Sequence, residues 1–321
     1  MEITPFKISY VPQAAALFIN NFKKLRKAVP TLPNTMEDPG RVSDLLTQIM
    51  DACPGVAALE SGRLVGYMGW WTIDAFRGTQ RRAAYVPEWA HSTITLGMEA
   101  SRPGIYRAMY RAAAHHWLDS GCQTHALSLL ANDKVAERTW FWSGFGLTVI
   151  DAVRPVTPLG VSAPGELLIR KATLADVDQL AEIEAEHWTH YAQPPTLMVP
   201  QAPDGPDEFA ALLNDPRNSA WLALEDGRVV AYMRCEAASQ GAAHIVRSDG
   251  TFAITGAYTR PAYRGRHAAP ALLDAALRDY AARGYRCCAV DFESLNPEAA
   301  VFWSKYFEPV ALSVLRVPEK F

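Results

Sequence analysis

The sequence predicts a mixed α/β fold built twice, as two tandem units. Three observations carry this. Residues 58–68 read ALESGRLVGYM and residues 223–233 read ALEDGRVVAYM, identical at eight of eleven positions at an offset of 165. The same offset lays Pro30-Thr31-Leu32 on Pro195-Thr196-Leu197. The length, 321 residues, exceeds what one ordinary core organises and suits two domains of roughly 150 residues each. A repeat on that scale governs the reading of the whole chain.

Each copy reads in the same order. A first strand leads to an amphipathic helix, 13–27 in copy one and 174–190 in copy two. A Pro-rich loop and a second helix follow. A hairpin comes next, turning at Ser61-Gly62 or Asp226-Gly227, and Asp-Gly between β-rich runs is a strong hairpin signal. A strand at 92–98 or 251–259 precedes a long helix that ends at Gly121 or Gly284, as helices often do. A strand and a last helix complete each copy. Antiparallel strands followed by a βαβ element make a mixed sheet. The segment DAVRPVTPLGVSAPG, 151–165, holds three prolines and two glycines and suits a connector. The predicted division is therefore 1–152, a linker 153–166, and 167–321.

Composition narrows the function classes. Hydrophobic residues make up 49% and the net charge is −3, so no broad basic face for nucleic acid is expected. The N-terminus lacks a basic stretch followed by an apolar core, and no apolar run approaches the ~20 residues of a membrane span. The five cysteines form no C-x-x-C pair, which points to reduced thiols and a cytoplasmic setting. Cys287 and Cys288 read as small buried strand residues. Trp140-Phe141-Trp142 reads as core or interface, and one ring of Trp70-Trp71 should pack inward. No metal site is expected.

The informative stretch runs from 254 to 284. A strand enters Arg264-Gly265-Arg266-His267-Ala268-Ala269, and a run of good helix formers follows. Small residues let backbone approach a ligand, the first-turn N–H groups have no intrahelical partner, and the helix dipole favours an anion. Arg264 and Arg266 add full charges, as does Arg260. Past Gly284 come an apolar strand, Cys287 to Phe292, and a helix opening Asn296-Pro297-Glu298-Ala299 and continuing to Phe302-Trp303.

In these features the chain resembles the GNAT superfamily of acyl-CoA-dependent N-acyltransferases, as a tandem member with a degenerate first copy. The superfamily's cofactor loop reads Q/R-x-x-G-x-G/A, often after P-x-Y-R-G. Pro261-Ala262-Tyr263-Arg264-Gly265 matches the lead-in, Arg264 takes the Q/R place, Ala269 the final small place, and His267 replaces the central glycine. The later element, N-x-x-A with an aromatic four residues on, is met by Asn296, Ala299 and Trp303.

The resemblance implies acetyl-CoA as co-substrate in copy two, held by Arg264, Gly265, Arg266, His267, Ala268 and Ala269, with Asn296 and Trp303 in the later element. Backbone groups of Ala257, Tyr258 and Thr259 would hold the pantetheine arm and polarise the thioester carbonyl. The family often uses a carboxylate or water chain as base and a tyrosine as acid. Trp303 stands at the usual tyrosine place, so Tyr306, three residues on, is the substitute acid. Asp291 and Glu293 share a strand face and are candidate bases, with Glu236 a third. His187, Trp188, His190 and Tyr191 are placed to line an acceptor pocket, and the Pro-rich 192–207 either forms a lid beside it or merely crosses the surface.

In copy one Ser101-Arg102-Pro103-Gly104-Ile105-Tyr106 replaces the loop. Matching Gly121 to Gly284 puts Tyr106 over Ala269, where it would crowd a phosphate, and Pro103 removes an N–H. Asp133, Ala136 and Trp140 keep the later element. The resulting expectation is an N-acyltransferase, in the simplest case an N-acetyltransferase, acting on a small-molecule or protein amine, with no nucleic-acid or membrane partner and homodimerisation left open. The rivals are an acyl-CoA-binding pseudoenzyme without turnover and an assembly scaffold.

Overall fold

A computed structural model describes residues 1–53, 55–94, 101–161, 165, 167–237 and 242–319. The chain divides by contacts into two units, one of 1–152, 243–245 and 308–321, the other of 153–242 and 246–307.

The first unit contains β1 (Glu2–Pro5), α1 (Val11–Ala28), α2 (Pro39–Ala52), β2 (Val56–Glu60), β3 (Arg63–Met68), β4 (Trp71–Ile73), β5 (Ala83–Val86), β6 (His91–Thr93), α3 (Arg102–Asp119), β7 (Thr124–Leu130), α4 (Lys134–Phe141) and most of β8 (Gly146–Pro155). Its strands form a sheet β1-β2-β3-β6 and a run β4-β5-β7-β14-β8, where β14 is Glu308–Arg316. Trp70 and Trp140 are buried, 3% and 1% exposed, whereas Trp142 is 74% exposed, so the aromatic cluster at 140–142 is only partly core.

The second unit contains β9 (Leu168–Lys171), α5 (Val177–Ala192), α6 (Pro206–Asn214), β10 (Ser219–Glu225), β11 (Arg228–Glu236), β12 (Thr251–Thr259), α7 (Ala268–Ala282), β13 (Cys287–Glu293) and α8 (Pro297–Tyr306). The strands order as β13-β12-β11-β10-β9. All pairs are antiparallel except β12 with β13, which is the βαβ element built through α7. Leu180 and Ile183 of α5 and Phe209 and Leu212 of α6 pack with Ala220, Leu222 and Leu224, alternate residues of β10, and with Tyr232 and Tyr258. α7 contributes Tyr280, whose ring stacks on Phe252 at 3.8 Å. Cys287 and Cys288 are buried, as their apolar run suggested.

Local chemistry explains the element ends. Both hairpin turns place two residues at positive φ, Ser61 and Gly62 at 50° and 77° and Asp226 and Gly227 at 50° and 79°. This is the type I′ geometry, whose twist suits the flanking strands. α8 starts where the Asn296 side chain accepts from the Ala299 N–H at 3.1 Å, with Pro297 next. α3 and α7 stop before Gly121 and Gly284, at φ 73° and 87°.

Three boundaries differ from the sequence reading. The helix assigned to 174–190 is an α-helix only from Val177, because Asp176 is held back by Arg170 and by the Thr173 N–H at 2.8 Å. The stretch 153–160 is fastened to the second unit, with the Val156 N–H on the Arg286 carbonyl and the Gly160 N–H on Asp274 Oδ1 at 2.8 Å. The last strand does not group with the second unit: β14 pairs antiparallel with β7, Ala311 opposite Leu130 through Arg316 opposite His125. Of the strand placed at 92–98, residues 95–98 lie outside the described residues, as do 162–164 and 166 of the linker. No helix among the described residues is long and apolar enough to cross a membrane.

Candidate functional site

β12 and β13 pair only over Thr251–Ile254 and Cys287–Val290. Beyond that, β12 continues to Thr259 along β11 while β13 ends at Glu293. Two strands that part leave a slot edged by backbone groups without a sheet partner on that side. A cavity of about 600 Å³ occupies this region. Ala257, Tyr258 and Thr259 line it from β12, and Asn296, Phe302, Trp303 and Tyr306 from the α8 end. Arg264, Gly265, His267, Ala268 and Ala269 line it from the turn and the start of α7. His187, His190 and Tyr232 line it too.

The turn is shaped for close approach. Gly265 has φ +75°, and a Cβ there would meet nothing within 4 Å. His267, in the place of the family's glycine, takes a left-handed φ of 60° as the N-cap of α7. Ala268 and Ala269 open the helix with no acidic residue in the first turn, and their N–H groups have no intrahelical partner. Pro270, next in line, lines the cavity without an N–H to offer, a loss that the sequence reading passed over.

The three arginines are not equivalent. Arg264 lines the cavity, with Nη1 2.8 Å from Glu298 Oε1 and Nε donating to the Thr259 carbonyl. Arg266 turns to Glu225 at 2.8 Å and lies over the Tyr263 ring. Arg260 is 8% exposed and pairs with Glu182 and Glu186 at 2.7 and 2.9 Å. Neither Arg260 nor Arg266 lines the cavity, so the structure does not bring their charges to it.

The carboxylates fall elsewhere. Asp291 and Glu293 lie on β13 and neither lines the cavity. Burial, then Glu293, pushes the Asp291 carboxyl up. Glu236 is tied to Arg234 at 2.9 Å and to the Thr255 hydroxyl at 2.5 Å. Of the acceptor-side residues His187 and His190 line the cavity; the Tyr191 ring lies tilted beside His187 at 4.3 Å, and Trp188 donates to Glu184 at 3.1 Å. Tyr232 was not anticipated as a site residue. Its identity with Tyr67 in the repeat carries no functional signal.

The corresponding region of the first unit is filled by its own side chains. Arg102, 4% exposed, makes a two-pronged contact with Asp133 and donates to Thr93 Oγ1 at 2.9 Å. Tyr106 is buried beside it, and burial followed by the Asp133 charge pushes its phenol up to about 12.

Residues 178–307 match the model of the acetyltransferase (GNAT) family. A crystal structure of a GCN5-related N-acetyltransferase from Sphaerobacter thermophilus is similar over 100% of this chain and 96% of its own, with 14% identity and a TM-score of 0.58. A GCN5-related glucosamine N-acetyltransferase region in a fungal multi-domain GH3 β-N-acetylglucosaminidase is similar over 98% of this chain at 13% identity and a TM-score of 0.54. This chain spans 38% of that structure's length. At these identities the likeness shows a shared fold. No protein with a curated description matches the sequence.

Proposed function

We propose, on the match of residues 178–307 to the model of the acetyltransferase (GNAT) family, that the second unit is an N-acyltransferase that moves an acetyl group from acetyl-CoA to an amine of a small molecule or protein. The observation that carries this is the slot where β12 leaves β13, running to the start of α7. The residues suit an acyl-CoA. Ala268 and Ala269 offer N–H groups to a pyrophosphate at the positive end of a helix, with Arg264 beside them. The edge of β12 over Ala257–Thr259 suits an extended pantetheine arm, and its N–H groups suit a developing oxyanion. Asn296 fixes the start of α8, which brings Trp303 and Tyr306 to the cavity.

Acetyl-CoA supplies an activated carbonyl and a thiolate leaving group. An indole is no proton donor near neutrality, so either Tyr306 protonates the departing sulfur or the thiolate leaves unaided, thiols having pKa values near ~8.5. Asp291 and Glu293, on β13, do not line the cavity and so are not its base in this reading. The first unit, its cradle occupied by Arg102 and Asp133, serves as a structural partner. All five cysteines are free, which supports a cytoplasmic setting.

Calorimetry with acetyl-CoA tests the reading. One site per chain is expected; no heat and no thermal stabilisation would sink it. The second reading, binding without turnover, is favoured by Trp303 at the usual acid place. Binding without thiol release across an amine panel would establish it.

A further inference from the structure

Glu184 and His187, one turn apart on α5, and Tyr232 on β11 are 8%, 4% and 1% exposed. The Tyr232 hydroxyl donates to Glu184 Oε2 and lies 2.9 Å from His187 Nδ1. Glu184 Oε1 accepts from Trp188 Nε1 at 3.1 Å. Burial by itself would raise the Glu184 carboxyl, but the nearby His187 ring, Nδ1 3.6 Å away, and the bond from Tyr232 outweigh it and hold the group below its ordinary value. Glu184 is thus ionised and accepts only. Tyr232 has one proton and gives it to Glu184, so its oxygen accepts from the His187 Nδ1–H. This fixes the imidazole with its lone pair on Nε2. Nε2 has no hydrogen-bond partner among the described residues, yet it is not among the sealed, unpaired atoms. His187 lines the 600 Å³ cavity, and with Nδ1 committed to Tyr232, Nε2 is the ring nitrogen left to serve it.

The duplication provides an internal comparison. At the 165-residue offset, α1 and α5 bury matching positions, Ala15 with Leu180 and Phe18 with Ile183. Glu184 then falls on Ile19 and His187 on Phe22, 7% and 0% exposed. The same helix packs on the same hairpin with apolar side chains in the first unit. Packing therefore does not demand polar groups here, and burying them costs free energy unless they are paired. A Cβ on Gly256 would stand 3.1 Å from the Tyr232 hydroxyl, so a side chain there would press on the chain of bonds.

We propose that His187 is the general base for the acceptor amine, with Tyr232 and Glu184 as positioning residues; this rests on the acyl-transfer reading above. The acceptor ammonium passes one proton to Nε2, and the imidazolium is balanced by the Glu184 carboxylate through Tyr232. The freed nitrogen lone pair forms the C–N bond at the thioester carbonyl. The tetrahedral adduct collapses, the C–S bond breaks, and the nitrogen's second proton goes to the departing thiolate. The imidazolium returns its proton to water. The titratable groups around His187 are Glu184, His190 and Tyr191 on its own helix, Tyr232 on β11 and Tyr258, stacked at 5.3 Å, on β12. His190 also lines the cavity but has no such hydrogen-bonded chain among the described residues.

Two measurements test this. In protein carrying ¹⁵N-histidine, the neutral His187 ring should show the Nδ1–H tautomer, and Tyr232→Phe should release that preference; an Nε2–H tautomer overturns the proposal whatever the activity. Coenzyme A release is then followed with cationic alkylamines and with hydroxylamine, whose nitrogen is already unprotonated near neutrality. His187→Gln should lower release to the alkylamines on the order of 100-fold and leave hydroxylamine nearly unchanged, with His190→Gln as the control. Equal loss with both nucleophiles, or with neither, overturns the base and leaves acyl transfer standing. A wild-type protein silent toward every nucleophile overturns acyl transfer and the base together. Should His187→Gln fail to fold, Glu184→Gln and Tyr232→Phe make the same comparison.

Discussion

Tyr67 and Tyr232 hold the same place in two hairpins, 165 residues apart, Tyr67 opposite Ala57 and Tyr232 opposite Leu222. Each hairpin even shifts register at the matching point, between Ala58 and Leu59 and between Ala223 and Leu224. The hydroxyls differ in use. Tyr67 donates to the Trp89 carbonyl at 2.8 Å, a backbone tie inside a core. Tyr232 donates to Glu184. Tyr67→Phe should therefore cost about 1–3 kcal/mol of stability in urea unfolding, the price of an unmet buried carbonyl, and leave acetyl-CoA affinity alone. A change in affinity would mean that the first unit takes part in cofactor binding.

The ion pair between Arg264 and Glu298 sets up a competition. An arginine held by a carboxylate is less available to a phosphate. Glu298→Gln should free Arg264 and tighten acetyl-CoA binding several-fold by calorimetry. Arg264→Ala should weaken it by roughly 10-fold or more, the scale of a charge-assisted hydrogen bond. If both variants weaken binding, Glu298 positions the arginine instead of competing for it.

Much of the fold was legible in the sequence because repeats, Asp-Gly turns and glycine stops are local signals. β12 spans the residues assigned to it, 251–259. The destination of β14 was not legible: which sheet edge a terminal strand completes is a long-range pairing that its own residues do not encode. The cavity's α7 side followed from residue size and helix physics. The directions of Arg260 and Arg266 did not, because each is claimed by glutamates distant in sequence. Tyr232 was hidden for the opposite reason. A tyrosine repeated in both copies reads as structural, and only the company of Glu184 and His187 distinguishes it.

His267 stores a small strain at the mouth of α7. A non-glycine residue at a left-handed φ costs on the order of 1 kcal/mol. His267→Gly relieves it, while the gain in unfolded-chain freedom offsets a similar amount. Stability should stay within about 1 kcal/mol of wild type, and acetyl-CoA should bind more tightly as the ring leaves the cradle. Weaker binding would show that the imidazole itself contacts the cofactor.

His125 in β7 should make the first unit acid-sensitive. It is 1% exposed, with Nδ1 2.9 Å from the Tyr110 hydroxyl and Nε2 without a partner among the described residues. Burial first, and the Arg316 charge second, push it down to about 4. The buried His91 is lowered in the same direction, also chiefly by burial. A histidine kept neutral in the fold protonates more readily when the chain unfolds. Its contribution is complete above the unfolded value near 6.5 and is lost as pH falls from there toward 4. The loss for His125 is at most on the order of 3 kcal/mol. Urea unfolding at pH 7 and pH 4.5 should show the decline, and His125→Gln should flatten part of it. An unchanged slope in that variant would assign the acid sensitivity to other groups, His91 first.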